Sequence, residues 1–194
     1  SYFFLFFKVF KMKIKIALCQ INVVDNKEKN IENATSMILK AVKQNADFIV
    51  LPEMFNCPYS NEKFIEYCEE ETNSLTLSKI AKLADENNTY ILAGSIPEKE
   101  DSKIFNTSYL FDKNGEIIAK HRKMHLFDID VKGKIYFKES DTLSSGNKFT
   151  IAKTEFGNVG IGICYDIRFP ELARLMVNAG AEILFYPGAF NMTT

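Results

Sequence analysis

Apolar and polar positions near the start of the chain alternate first with the period of a strand and then with that of a helix. The segment Lys13 to Gln20 ("KIKIALCQ") predicts a strand. Residues 27 to 45 predict a helix whose apolar face carries Ile31, Ala34, Ile38, Ala41 and Val42. The continuous apolar run "ADFIVLP" predicts a second strand that is buried on both faces. Together these elements predict a βαβ unit.

A second βαβ unit is predicted towards the carboxyl end. It consists of a strand from Asn158 to Cys164, a helix from about Arg168 to Ala179 and the strand "AEILFYP". The two units place their strands and helices in the same order, which indicates an internal repeat.

Matched residues support this repeat. "ADFIVLPEMFN" from Ala46 and "AEILFYPGAFN" from Ala181 share Ala, Pro, Phe and Asn at equivalent positions. In this alignment Glu53 falls opposite Gly188, and the preceding strands place Cys19 opposite Cys164. Two related βαβ units predict an α/β fold, namely an α-β-β-α sandwich with approximate two-fold symmetry. Residues just past strand ends are then the candidates for a site.

The segments between the two units predict a strand, a hairpin and a loop. "TYILAGSIP" predicts one strand, and "NTSYLFDKNGEIIAKHRK" predicts a hairpin that turns at Asn114-Gly115. The polar stretch from Asp128 to Asn147 has no period. Because long irregular segments in compact domains are commonly functional, we expect an active-site loop there.

Composition and charge limit the classes of function. The chain has 194 residues, 46% of them hydrophobic, and a formal net charge of −1 without a long basic run. These values predict one domain with a small-molecule or protein partner, and no nucleic-acid or membrane partner. The four cysteines lack disulfide-framework or zinc spacing, so we expect a reducing, cytosol-like compartment and neither a metal nor another cofactor.

Both ends of the sequence are expected to be atypical. The apolar opening "SYFFLFFKVF" is shorter than the roughly 20 residues of a membrane span, so residues 1–11 are interpreted as an extraneous leader. The domain is then expected to occupy residues 12–194. Since the chain stops just after a strand, we expect it to lack the C-terminal part of the fold.

Cys164 has two interpretations. It stands at a strand end, a few residues before Pro170, which suits the first turn of a helix. A helix N-terminus would lower the pKa of the thiol and make it a nucleophile, whereas the alternative is a buried structural cysteine. Cys19, the equivalent residue of the first βαβ unit, is not followed by such a helix start and is predicted to be structural.

Two further groups could carry chemistry. Glu53 follows a buried strand, where an isolated carboxylate is costly, so it requires a partner or a function. The cluster "KHRKMHLFDID" contains Lys123 and both histidines of the chain, His121 and His125. It could be a basic surface patch, it could supply His121 and His125 as two ligands of a metal ion, or one of these histidines could activate Cys164.

The motifs "LPEMF", "HRKMHLFDID" and "GICYDIRFPEL" together resemble the carbon-nitrogen hydrolase (nitrilase) superfamily from about Lys13 to Thr194. This resemblance implies a catalytic Glu53, Lys123 and Cys164. It implies that Cys164 attacks an amide carbonyl, that Glu53 transfers the protons, and that Lys123 stabilises the oxyanion together with the backbone N–H of Tyr165.

Further site residues follow from the same resemblance. Glu139 matches a second glutamate of the family, which would orient Lys123 and the substrate. Tyr59 and Phe127 match positions in the pocket wall. Arg168 has two interpretations: it binds a substrate carboxylate, or it braces the turn after Cys164 together with Asp166 and Glu171.

Within the superfamily, "HRKMHLFDIDVKGKIYFKES" and "YPGAFNMTT" resemble the omega-amidase branch. This implies hydrolysis of the terminal amide of 2-oxoglutaramate or 2-oxosuccinamate through a cysteine thioester. The alternatives are a deaminated glutathione amidase, or another carbon-nitrogen hydrolase, and an inactive fragment. A homodimer and a cytoplasmic or mitochondrial location are further expectations.

Overall fold

The computed structural model describes residues 13–133 and 135–190. Within them, the larger sheet contains six strands: β1 (Ile16–Leu18), β2 (Phe48–Val50), β3 (Tyr90–Leu92), β4 (Ile96–Glu100), β5 (Lys103–Phe111) and β6 (Ile117–Arg122). Strands β1, β2 and β3 are parallel, and the long β5 pairs antiparallel with β3, β4 and β6. The predicted leader, residues 1–11, and the last four residues lie outside the described residues. No helix in the described part of the chain is long and apolar enough to cross a membrane.

The polar stretch expected to be an irregular loop is largely ordered. It forms a separate antiparallel hairpin, β7 (Asp128–Val131) and β8 (Ile135–Lys138), followed by a 3-10 turn at Glu139–Asp141. The prediction of a structureless segment was therefore wrong for residues 128 to 141. Ile129, Ile135 and Phe137 alternate with polar neighbours, so a strand pattern was present but short.

The smaller sheet and four helices complete the described fold. The sheet consists of β9 (Thr150–Thr154), β10 (Gly157–Ile161) and β11 (Ile183–Phe185) in the order β11-β10-β9. The helices are α1 (Lys27–Lys43), α2 (Asn61–Tyr67), α3 (Leu75–Asn87) and α4 (Pro170–Asn178). Helix α1 joins parallel β1 and β2, and α4 joins parallel β10 and β11, so both predicted βαβ units are confirmed.

Side chains that alternate along β2 separate the layers of the fold. Phe48 and Val50 pack between the two sheets in a cluster with Val159 and Ile161. Ile49 points to the opposite face, in the cluster shared with α1 and α3. On the far side of the smaller sheet, buried residues of α4 pack against β9 and β11. These layers form the predicted α-β-β-α sandwich.

The segment predicted as one strand, "TYILAGSIP", is interrupted between β3 and β4. Gly94 has a φ of +27°, and a Cβ at this position would overlap the carbonyl oxygen of Pro52. Ser95 then accepts a hydrogen bond on its Oγ from the backbone N–H of Met54 at 3.0 Å. The interruption therefore fixes the turn that follows β2, where Glu53 lies.

Candidate active site

Glu53 lies at the carboxyl end of β2, two residues after Leu51, and its side chain is fully buried. Its Oε1 accepts hydrogen bonds from Lys123 Nζ at 2.9 Å, from Asn106 Nδ2 at 2.9 Å and from the Tyr59 hydroxyl at 3.2 Å. Its Oε2 accepts one from the backbone N–H of Ala189 at 3.0 Å. The carboxylate thus has the partners that its burial requires.

Lys123 follows the last residue of β6, and its side chain is also fully buried. Its Nζ lies 3.0 Å from both oxygens of Glu139, in addition to its contact with Glu53. Burial alone would lower the pKa of this amine, but the charges of Glu53 and Glu139 raise it above its usual value. The site therefore contains a fixed positive charge.

Glu139 begins the 3-10 turn after β8 and completes a buried cluster of four side chains. It accepts hydrogen bonds from the backbone N–H of Phe127 at 2.6 Å and from the Tyr59 hydroxyl. Burial, with a smaller contribution from the charge of Glu53, raises the pKa of Glu139 against the opposing effect of Lys123. Tyr59 bridges the two carboxylates, since its hydroxyl is also within reach of Glu53.

Cys164 lies where the chain leaves β10 and enters a 3-10 turn, Cys164–Arg168, that precedes α4. Its φ of +44° is in the left-handed region, which is strained for a residue with a Cβ. Burial, followed by the charge and hydrogen bond of Glu53, raises the pKa of this thiol to about 12, although Lys123 acts in the opposite direction. The expectation that the α4 N-terminus lowers the thiol pKa was therefore wrong, because the 3-10 turn intervenes and burial dominates.

The charges in this cluster add to the effect of burial on the pKa of Cys164. Two carboxylates and one ammonium give the buried group a net charge of −1 when Cys164 is a thiol. Loss of the thiol proton to solvent would add a second negative charge in a region of low dielectric. Transfer of that proton to Glu53 leaves the net charge unchanged. The arrangement thus favours a thiol paired with a base over a permanent thiolate.

A cavity of about 370 Å³ opens onto this cluster. Its lining includes four residues predicted to bind substrate: Tyr59, Phe127, Tyr165 and Arg168. The sequence did not predict the remaining lining residues, which are Ile129, Ile135 and Phe137 of the β7–β8 hairpin, and Ala189 and Phe190. Cys164 is exposed to the same cavity, so a molecule bound there can reach the sulfur.

Arg168 is the cationic residue of this cavity wall. The remaining lining is largely apolar or aromatic, and within the described residues the guanidinium of Arg168 makes no ion pair. Glu171 likewise makes none there but lies in the first turn of α4, and of the three residues predicted to brace the turn, Asp166 accepts a hydrogen bond from the backbone N–H of Ile163. A guanidinium beside an apolar cavity is suited to binding a carboxylate.

The two histidines contact Asp166. His121 Nε2 lies 3.2 Å from Asp166 Oδ2, and His125 Nδ1 lies 2.7 Å from Asp166 Oδ1. The basic cluster is therefore an internal hydrogen-bonded network, and the interpretations as a surface patch or as a direct Cys-His pair were wrong. The described residues contain no group of three or more His, Cys, Asp or Glu side chains placed to bind a metal.

Cys19 lacks these neighbours. It is buried in the cluster between the larger sheet and its helices, where burial raises the pKa of its thiol. Its position confirms the structural interpretation, since it packs with apolar residues in place of a carboxylate and a lysine.

Comparison with known proteins identifies the family. A family model of carbon-nitrogen hydrolases matches residues 15–194. The omega-amidase NIT2 of Bos taurus is 47% identical over 93% of this chain and 65% of its own length. The chloroplastic omega-amidase of Arabidopsis thaliana is 47% identical over 94% of this chain and 50% of its own length. This chain therefore spans between half and two thirds of the length of these two relatives.

A solved structure gives the same result. Nit3 of Saccharomyces cerevisiae, a member of branch 10 of the nitrilase superfamily, matches this chain with a TM-score of 0.82 at 39% identity. The match covers 92% of this chain and 65% of the Nit3 chain. With the sandwich fold, the buried glutamate, lysine and cysteine, and a family model that matches almost the whole sequence, this chain belongs to the carbon-nitrogen hydrolase family.

Proposed function

We propose that the protein is an omega-amidase, which hydrolyses the terminal amide of 2-oxoglutaramate or 2-oxosuccinamate to the 2-oxo dicarboxylic acid and ammonia. The observation that carries this proposal is the buried group of Glu53 and Lys123 beside Cys164, at a cavity whose lining includes the guanidinium of Arg168. The names of the 47% identical relatives support the choice of substrate.

The first half of the proposed reaction forms a thioester. Glu53 accepts the proton of the Cys164 thiol as the sulfur attacks the amide carbon, which avoids a free thiolate of high pKa. Lys123 and the backbone N–H of Tyr165 stabilise the oxyanion of the tetrahedral intermediate. Glu53 then donates its proton to the leaving nitrogen, the C–N bond breaks, and ammonia departs.

The second half hydrolyses this thioester. Glu53, which is again a carboxylate, accepts a proton from water as the water attacks the thioester carbon. The C–S bond then breaks, the acid leaves, and the proton on Glu53 returns to the sulfur of Cys164. Glu139 and Tyr59 hold Lys123 in place throughout, since both lie within hydrogen-bond distance of its Nζ.

Arg168 is proposed to bind the carboxylate at the other end of the substrate, and Phe127 is proposed to cover the carbon chain between them. Arg168→Gln should lower kcat/KM for 2-oxosuccinamate by about 10- to 100-fold, as expected for one charged hydrogen bond. The methyl ester of the same amide lacks that charge and should be affected much less. Equal losses for both compounds would exclude this role.

The experiment that tests the function compares ammonia release from 2-oxosuccinamate and from deaminated glutathione. We expect faster release from 2-oxosuccinamate, and loss of activity in Cys164→Ala. Cys19→Ala is the matched control, because it removes a buried thiol at the equivalent position of the repeat and should remain active. Equal activity of the Cys164→Ala variant and the unmodified protein would refute the proposal, and preference for deaminated glutathione would assign the protein to that branch. The proposed cytoplasmic location and homodimer are separate predictions.

A further inference from the structure

Asp166 is a buried carboxylate to which the reaction described above gives no role. Its side chain is fully inaccessible to solvent, and both of its oxygens are used. Oδ2 accepts from the backbone N–H of Ile163 at 2.9 Å and contacts His121 Nε2. Oδ1 accepts from the backbone N–H of His125 at 2.9 Å and contacts His125 Nδ1.

These contacts join two segments that are distant in sequence. His121 and His125 lie two residues before and two residues after Lys123. Ile163 lies one residue before Cys164, and Asp166 lies two residues after it. One carboxylate therefore holds both flanks of the lysine and the turn that carries the nucleophile.

The hydrogen bonds of Asp166 help to stabilise the backbone conformation of Cys164. A left-handed φ is unfavourable for cysteine and persists only where its surroundings enforce it. The hydrogen bond from the Ile163 N–H to Asp166 closes the 3-10 turn around Cys164. Oδ1 of Asp166, which accepts from the backbone N–H of His125, fixes the chain two residues after Lys123. The backbone N–H of Lys123 itself donates to the carbonyl oxygen of Asn106 at 2.8 Å.

We propose that Asp166 is a positioning residue, which acts through His125 and His121 to hold Lys123 at a fixed distance from Cys164. The inference rests on the proposed function for its effect on hydrolysis, but its geometric claim can be tested without substrate. Lys123 favours the thiolate of Cys164, so displacement of Lys123 must make the thiol less reactive.

His125 offers a matched pair of variants. Its ring stacks on Phe169 with 3.6 Å between ring centroids, and both His125→Ala and His125→Asn remove this stacking. An asparagine can place an N–H where His125 Nδ1 lies, whereas alanine cannot. His125 is partly exposed, with 28% of its side chain accessible, so both substitutions are compatible with folding.

The test measures the rate at which iodoacetamide alkylates Cys164 at about pH 8, with the modified residue identified by peptide mass. At this pH the rate follows the thiolate fraction, so His125→Ala and Asp166→Asn should react on the order of tenfold more slowly than the unmodified protein. His125→Asn should recover most of this loss. If Asp166→Asn does not fold, the His125 pair still decides the question.

Hydrolysis gives the second readout. In His125→Ala, kcat for 2-oxosuccinamate should fall by about tenfold or more while KM changes little, because a misplaced oxyanion donor affects the transition state. Equal alkylation rates in the unmodified protein and both His125 variants, or equal losses in both variants, would overturn the positioning role. Failure of the unmodified protein to hydrolyse the amide would instead overturn the proposed function, while the alkylation rates would still test Asp166.

Discussion

Lys123 Nζ lies 2.9 Å from Glu53 Oε1, and the side chains of both residues are inaccessible to solvent. A buried carboxylate–ammonium pair is costly to assemble and contributes little to stability compared with apolar packing. Its presence beside a cavity, with a second carboxylate on the same ammonium, is therefore typical of a functional site.

The first prediction concerns the acidity of Cys164. Because the charge and hydrogen bond of Glu53 raise the pKa of this thiol, Glu53→Gln should lower that pKa below about 12 while abolishing amide hydrolysis. The thiolate absorbance near 240 nm is recorded between pH 7 and 11 for both proteins. The spectrum of Cys164→Ala is subtracted from that of the unmodified protein, and the spectrum of Glu53→Gln/Cys164→Ala from that of Glu53→Gln. More thiolate in Glu53→Gln than in the unmodified protein at each pH is the expected result. An unchanged titration would mean that Glu53 does not act on the sulfur.

The second prediction concerns the stability that Lys123 provides to its two carboxylates. Lys123→Met leaves Glu53 and Glu139 buried without a counter-charge, so the free energy of unfolding should fall by about 3 kcal/mol or more at neutral pH. Burial raises the pKa of Glu139 and Lys123 opposes this effect, so without Lys123 this carboxylate takes up a proton more readily in the folded state than in the unfolded state. The loss should therefore shrink as the pH falls towards 4.

Urea denaturation of the unmodified protein and of Lys123→Met between pH 4 and 8 measures this loss of stability. Lys120→Met is the control, since Lys120 lies on β6 three residues before Lys123 but is partly exposed, and Glu98, its buried partner, keeps Arg122. A loss of about 1 kcal/mol or less is expected for Lys120→Met. Losses of the same size in the two variants would argue against a special environment for Lys123.

The third prediction concerns backbone strain at Cys164. A glycine tolerates a φ of +44°, so Cys164→Gly should be more stable than Cys164→Ala by about 0.5–1 kcal/mol. Cys19 is not among the residues with positive φ, and there the order should reverse, with the glycine variant less stable by a similar amount. Thermal or urea unfolding of the four variants provides the comparison. If the glycine and alanine variants had the same order of stability at both positions, backbone strain at Cys164 would be excluded.

Local patterns were sufficient to predict the two βαβ units and the residues at their strand ends. The apolar periodicities of α1 and β2 depend on neighbouring residues, and Glu53 is predicted because a carboxylate directly after a buried strand is unusual. Helices α2 and α3 were not predicted. The β7–β8 hairpin was missed because each strand is only four residues long, so that each shows at most two steps of an alternating pattern.

The environment of Cys164 could not be derived from its own segment. The sequence around Pro170 suggested a helix N-terminus, but the pKa of the thiol depends on burial and on Glu53, which is more than 100 residues away in the chain. The contacts of Asp166 with the two histidines could not be predicted for the same reason, because they join residues that are 41 and 45 positions apart in the chain. Such pairs become visible only when the two sheets are placed against each other.

The acyl-enzyme provides the most direct test of the central claim, that Cys164 is the nucleophile of an amide hydrolysis assisted by Glu53 and Lys123. The protein, in excess over 2-oxosuccinamate, is quenched in acid at successive times and the peptides are mapped by mass. We predict a transient increase on the peptide of Cys164 that equals the mass of the substrate less ammonia, and no such peptide in Cys164→Ala. An acyl group on another residue, or undiminished ammonia release by Cys164→Ala, would contradict the account.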